Sequence, residues 1–212
     1  MTMTTSVTNS EITMGPPGVT MAPGDHICAF YRGREQRDAL LVPFLREGLL
    51  AGDKCLCVMD DPETSHLLGP LSAALDVEMF QKSGQFELLT SDDAYLPDGQ
   101  FLADRMLTFW ESGFDGALDQ DGYGFVRAVG EMTWALRDAP GVDQLVGYEG
   151  LLNRFTPRYP RSVLLCLYDL ERFTDGEVLI GMLRTHPKVL MSGQLLENPW
   201  YDDPDEYLLE RA

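Results

Sequence analysis

From residue 26 onward the chain alternates two hydrophobic patterns. Short continuous apolar runs fall at His26 to Tyr31, Lys54 to Asp60, Phe86 to Thr90, Phe125 to Gly130, Val163 to Tyr168 and Lys188 to Met191, the length and content of buried strands. Between them, Glu35 to Ala51, Glu63 to Leu75, Leu102 to Ala117, Gly141 to Thr156 and Gly176 to Thr185 carry apolar residues at three- and four-residue spacing, which predicts helices with one buried face. Leu41, Phe44, Leu45 and Leu49 show this spacing in the first helix, which Gly48 weakens and Gly52 ends. Strands alternating with helices need crossover connections, so the pattern predicts an α/β fold in three layers, a mainly parallel sheet with helices on both faces. Ligands of such sheets bind at the carboxyl ends of the strands. That edge carries Tyr31 and Arg32, Asp60 and Asp61, Ser91 to Tyr95, Glu131 to Arg137, and Tyr168 with Asp169, a polar and aromatic set suited to a small-molecule pocket.

The ends of the chain differ from this middle. Residues 1–23 are polar and Thr-rich, with Gly15-Pro16-Pro17-Gly18 and Pro23 before Gly24, and read as a flexible leader. The expected domain runs over residues 24–201, and residues 202–212 read as an acidic tail. At 212 residues and 44% hydrophobic content the chain has enough apolar material for one sizeable core. Its 16 basic and 34 acidic residues leave a formal charge of -18, which argues against direct nucleic-acid binding and favours a basic partner surface. No run approaches the roughly 20 apolar residues of a membrane span, and no secretory signal opens the chain, so a cytoplasmic location without membrane contact is expected. Cys28, Cys55, Cys57 and Cys166 all lie in apolar runs and read as buried free thiols. The sequence requires no cofactor.

The turn after the first strand decides the chemistry. A phosphate loop needs G-x-x-x-x-G-K-[ST], whose amides and lysine neutralise the phosphates. Here the turn reads Arg32-Gly33-Arg34-Glu35-Gln36-Arg37, with one glycine and no lysine. ATP hydrolysis is therefore disfavoured.

Several separated segments resemble the MEDS family, the methanogen/methylotroph sensory domain. They are Gly24 to Gln36 (GDHICAFYRGREQ), Leu41 to Glu63 (LVPFLREGLLAGDKCLCVMDDPE), Ser83 to Phe101 (SGQFELLTSDDAYLPDGQF), Val129 to Asn153, Leu164 to Phe173 (LLCLYDLERF) and Met182 to Pro187 (MLRTHP). The resemblance spans about Gly24 to Tyr201. It implies a RecA/KaiC-like fold without a phosphate loop (no Walker A), serving prokaryotic signal transduction, with simple hydrocarbon derivatives as the implied ligand class. Family members are often joined to a kinase, a DNA-binding domain or an anti-sigma-type module. This sequence shows no output domain, which implies a separate signalling protein as partner, whether kinase, anti-sigma factor or transcription regulator, or a second copy of the chain.

Each candidate residue has a structural alternative. His26 and Cys28 point to one face of a strand, where they either ligate a transition metal or bind an electrophile through an activated thiolate; otherwise Cys28 packs in the core and His26 makes one structural hydrogen bond. Glu131 stands where RecA-like ATPases keep an acidic residue, either contacting a ligand with Trp134 as an apolar wall or pairing with Arg127, Arg137 or Arg32. Arg32, Arg34 and Arg37 either hold an anion at a helix N-terminus or form a solvated turn with Asp38 and Glu35. Asp60, Asp61 and Glu63 form either a helix start with acidic first-turn residues or a metal site, and Asp60 is also a candidate ligand contact at the sheet edge. Tyr31, Tyr95 and Tyr168 line the pocket or cover the core, and His186 before Pro187 is a turn histidine or a pocket residue. The expected function is a sensory module that binds a small ligand and signals through a partner. The alternatives are an interaction protein that masks a basic segment of a sigma factor or DNA-binding protein, and a thiol enzyme built on Cys28 and His26, which lacks an evident third residue to orient the histidine.

Overall fold

The structure is a computed structural model that describes residues 12–13, 19–60 and 65–203. A two-residue antiparallel pair, β1 (Ile12–Thr13) with β2 (Thr20–Met21), precedes the main sheet. There follow β3 (His26–Tyr31), α1 (Gly33–Ala51), β4 (Lys54–Met59), α2 (Ser65–Ser72), α3 (Val77–Lys82), β5 (Phe86–Thr90), α4 (Ser91–Ala94), α5 (Ala103–Asp115), β6 (Val126–Glu131), α6 (Leu145–Phe155), β7 (Ser162–Asp169), α7 (Gly176–Thr185), β8 (Lys188–Met191) and β9 (Gln194–Glu197). The sheet order is β5-β4-β6-β7-β3-β8-β9, parallel throughout except for β9, which pairs antiparallel with β8. This is the expected three-layer α/β fold. The strand β9 was not expected; Ser192 and Gly193 between β8 and β9 both take positive φ, 52° and 73°, the backbone of a tight hairpin turn.

Alternate residues of β3 feed opposite faces of the sheet. Ile27, Ala29 and Tyr31 pack with Leu41 and Phe44 of α1, Leu71 of α2 and Phe80 of α3, whereas Cys28 and Phe30 pack with Trp110 of α5, Tyr148 of α6 and Met182 of α7. Burial on both faces explains the unbroken apolar runs of β3, β4 and β7. Gly48 has a reason as well. A Cβ there would stand 2.5 Å from Arg127 Cδ, and that bare stretch of helix lets the buried Arg127 cross α1, donate to the Phe44 carbonyl at 3.0 Å and pair with Asp53 at 2.8 Å.

Three boundaries differ from the sequence reading. Val19 and Met21, assigned to the leader, are buried against the α1 face, so the packed domain begins before Gly24; residues 1–11 and 14–18 lie outside the described residues. The helix expected from Glu63 to Leu75 corresponds to α2, which ends at Ser72, and α3 follows as a helix that was not expected, capped by Asp76, which accepts a hydrogen bond from the Met79 N–H. Of the tail, Asp202 pairs with Arg184, and residues 204–212 lie outside the described residues. No described helix is long and apolar enough to cross a membrane.

Candidate functional site

The connection from β3 to α1 is a single residue, Arg32. No loop is left there to wrap a phosphate chain. The helix N-terminus is also occupied from within: Asp169 Oδ1, at the end of β7, accepts from the Gly33 N–H at 3.1 Å and from the Glu171 N–H at 2.9 Å, and Gln36 Oε1 accepts from the Arg32 N–H at 2.9 Å. A carboxylate thus sits where an anion would be expected at this helix end.

Beside it the carboxyl ends of β3, β4, β6 and β7 enclose a cavity of about 350 Å³ lined by Tyr31, Arg34, Arg37, Asp60, Glu131, Thr133, Arg137, Asp169 and Arg172. Its floor is a hydrogen-bonded network. Tyr31 Oη donates to Glu131 Oε1 at 3.0 Å, and the Asp60 N–H donates to Glu131 Oε2 at 2.9 Å. Thr133 Oγ1 lies 2.6 and 2.7 Å from the two Glu131 oxygens and 3.1 Å from Asp60 Oδ2, so its single proton can be donated to either carboxylate, with Glu131 the nearer. Asp60 Oδ1 accepts from Ser91 Oγ and Arg137 Nη2, each at 2.5 Å, and Arg137 also pairs with Asp92. Glu131 makes no ion pair with Arg127, Arg137 or Arg32; burial, with the Asp60 charge adding to it, holds its carboxyl above the ordinary range. Burial likewise pushes the Tyr31 phenol up.

At the mouth the arginines divide. Arg37 pairs with Asp38 at 2.9 Å, the partner expected from sequence, but it is buried and so not part of a solvated turn. Arg34 and Arg172 are exposed and form no ion pair with any described residue. Arg32 is exposed and lies outside the cavity lining. Asp61 and Glu63 lie outside the described residues.

Besides Arg32, five expected ligand-binding residues stand elsewhere: Trp134, Tyr95, Tyr168, Cys28 and His26. Trp134 stacks on Tyr95 with centroids 4.7 Å apart and packs on Phe101 at 4.6 Å, both fully within the core on the α5–α6 face. They support the sheet edge from below and do not face the cavity. Tyr168 points to the same side and donates from Oη to Glu149 Oε1. Cys28 is wholly buried, and burial drives its thiol well above the usual range, the opposite of an activated nucleophile. The sulfur beside the His26 imidazole belongs to Cys166, at 3.4 Å. In the parallel register His26 is level with Leu164 and Cys28 with Cys166, so the diagonal neighbour across the strands, not the residue two along, meets the ring. His26 also faces Glu149 Oε2 at 3.2 Å, as does His186 at 3.3 Å. Sequence reasoning missed Glu149 and Cys166; the signal available for Glu149 was a lone acid among the apolar positions of a helix (Leu145, Tyr148, Leu152).

The topology with its stripped phosphate loop places the chain among RecA/KaiC-like α/β domains. Solved structures agree: a KaiC-like protein from Pyrococcus horikoshii matches with a TM-score of 0.60 at 14% identity, over 85% of this chain and 79% of its own. The flagellar accessory protein FlaH from Methanocaldococcus jannaschii matches at 0.50 and 11% identity, over 81% and 75%. Residues 25–187 match the family described as MEDS, the methanogen/methylotroph, DcmR sensory domain. The chain belongs to that family of sensory domains. The transcriptional repressor DcmR from Methylorubrum extorquens is 34% identical over 173 residues, 80% of this chain. The chain spans 60% of that relative's length.

Proposed function

We propose that this chain is a non-catalytic sensory domain that binds a small polar ligand, such as an oxygenated or carboxylate-bearing hydrocarbon derivative, at the carboxyl edge of the sheet. Binding is relayed to a protein partner in transcriptional control. The observation that carries the ligand reading is the cavity of about 350 Å³, with two arginines at its mouth that pair with no described residue and a fixed hydroxyl–carboxylate network at its floor. Cavities of about this size suit small ligands, and the exposed guanidiniums match a carboxylate in charge and fork geometry. The kinship with a transcriptional repressor supports a regulatory output, and the one-residue β3–α1 connection supports sensing over phosphoryl transfer.

Calorimetric titration of the full chain with a panel of short carboxylates, alcohols and halogenated one-carbon compounds tests this. A carboxylate is expected to bind, and Arg34→Ala or Arg172→Ala to weaken it by about tenfold or more, the value of one charge-assisted hydrogen bond. A folded chain indifferent to the whole panel would end the ligand reading. Binding that ignores both substitutions would move it to another site.

A further inference from the structure

We propose that His26, Glu149, Cys166 and His186 form a buried, closed site for one divalent transition-metal ion of the zinc type. Four separate elements bring the residues together: His26 opens β3, Glu149 lies within α6, Cys166 is in β7, and His186 follows α7 and precedes β8. All four are buried, and one donor atom from each lies within 4.8 Å of every other. The closest separations, 3.2, 3.3 and 3.4 Å, are near the edge lengths of about 3.3–3.8 Å of a tetrahedron drawn with zinc–nitrogen, –oxygen and –sulfur bonds. Two imidazoles, a thiol and a carboxylate select a borderline transition metal over magnesium or calcium, which prefer all-oxygen shells.

Proton placement strengthens the case. His186 Nδ1 lies 2.7 Å from the Met182 carbonyl oxygen, which only accepts, so Nδ1 carries a proton. Asn153 Nδ2 donates to the carbonyls of Thr185 and Glu149 at 2.5 and 3.3 Å; this orients its Oδ1 to accept from His26 Nδ1 at 3.0 Å. Held through Nδ1, both rings turn Nε2 toward the single oxygen Glu149 Oε2, a lone pair wherever the ring is neutral. Neither Glu149 Oε2 nor His186 Nε2 has a hydrogen-bond partner among the described residues. Two ring nitrogens and a carboxylate oxygen that converge in the protein interior call for positive charge between them, carried by a proton or a metal ion.

Charge separates the two candidate cations. A proton on one ring balances Glu149 but leaves the other Nε2 lone pair aimed at the same oxygen without a donor, and protons on both leave two imidazoliums against one carboxylate, an excess positive charge in the interior. A divalent ion with Glu149 carboxylate and Cys166 thiolate sums to zero. On binding, the metal takes the Cys166 sulfur as thiolate and one proton leaves to solvent. The surrounding hydrogen bonds have the form that orients metal ligands: each Nδ1–H is held by a carbonyl-type oxygen, and Tyr168 Oη holds Glu149 Oε1 so that Oε2 faces inward. With four protein donors no position is left for a substrate, so the ion is structural, tying α6 and α7 to the sheet.

The test is equilibrium dialysis and absorption spectroscopy of the metal-stripped full chain with Co2+, then Zn2+. One equivalent of Co2+ should bind with tetrahedral d–d bands and a thiolate charge-transfer band, both lost on adding Zn2+, with about one proton released. Cys166→Ser, nearly isosteric, should remove the charge-transfer band and weaken binding at least tenfold, and Cys28→Ser should leave both unchanged. A wild-type chain that is folded by circular dichroism and binds neither metal at micromolar concentration overturns the proposal whatever the variants do. So does a charge-transfer band that survives Cys166→Ser or vanishes with Cys28→Ser.

Discussion

Trp134→Ala is expected to lower the unfolding free energy by about 3–5 kcal/mol, the range for truncating a large buried aromatic, while leaving ligand affinity of the remaining folded protein unchanged. Trp134 is fully buried and lies in a contiguous aromatic group with Tyr95, Phe101 and Tyr148. Tyr148 meets Phe101 edge-on at 5.4 Å, and its hydroxyl accepts from Trp110 Nε1 at 2.7 Å. Removing the indole opens a void that these interlocked rings cannot close without leaving their edge-to-face and stacked arrangements. The indole N–H has no acceptor among the described residues, so Trp134→Phe forfeits no hydrogen bond and should cost well under half as much. Urea unfolding followed by circular dichroism measures both variants without depending on tryptophan emission. If Trp134→Ala left stability within about 1 kcal/mol of wild type but abolished ligand binding, the ring would be a pocket wall after all.

That residue shows where a sequence becomes unreadable. Burial periodicity places Trp134 just past a strand end, and position along the chain is enough to locate the carboxyl edge. It does not reveal which side of the sheet a side chain takes once the chain leaves the strand into the short turn Thr133–Leu136. Thr133, its neighbour, turns into the cavity floor instead. Tyr31, Asp60, Glu131 and Arg137 were legible because a parallel sheet collects the last residues of its strands at one edge, and the structure brings these four into one network. His26 was legible as chemistry, being one of three histidines in the chain, but its partners were not. They come from a neighbouring strand, a helix and a strand entry 123 to 160 residues away, and only the strand register decides that Cys166 rather than Cys28 meets the ring. Gly48 looked like a helix weakness in isolation. Its role becomes visible only when Arg127 of another strand is seen lying across it.

Acidity should register at Glu131 with a sign opposite to that of an ordinary salt-bridged acid. Burial holds its folded-state carboxyl above the usual value near 4.5, and its donors are two hydroxyls and one amide, with no cation in contact. Between the unfolded value and the raised folded one, the native state binds more protons than the unfolded state. Stability therefore falls as pH rises through that window, by at most about 1.4 kcal/mol per pH unit for a single proton. Glu131→Gln keeps the shape and removes the titration. Whatever offset the amide introduces at pH 4, the difference between variant and wild type should move in the variant's favour as pH climbs from about 4.5 toward neutrality. Urea midpoints for both proteins at half-unit intervals of pH give that difference directly, and other titrating groups cancel to first order because both chains share them. A difference that stays flat would mean that Glu131 titrates as it does in water, and one that moves toward wild type would mean that a cation, supplied by an arginine moving across the cavity, stabilises the carboxylate. Flatness would mean that the hydrogen bonds from Thr133, the Asp60 N–H and Tyr31, which favour the carboxylate, fully offset the burial that disfavours it.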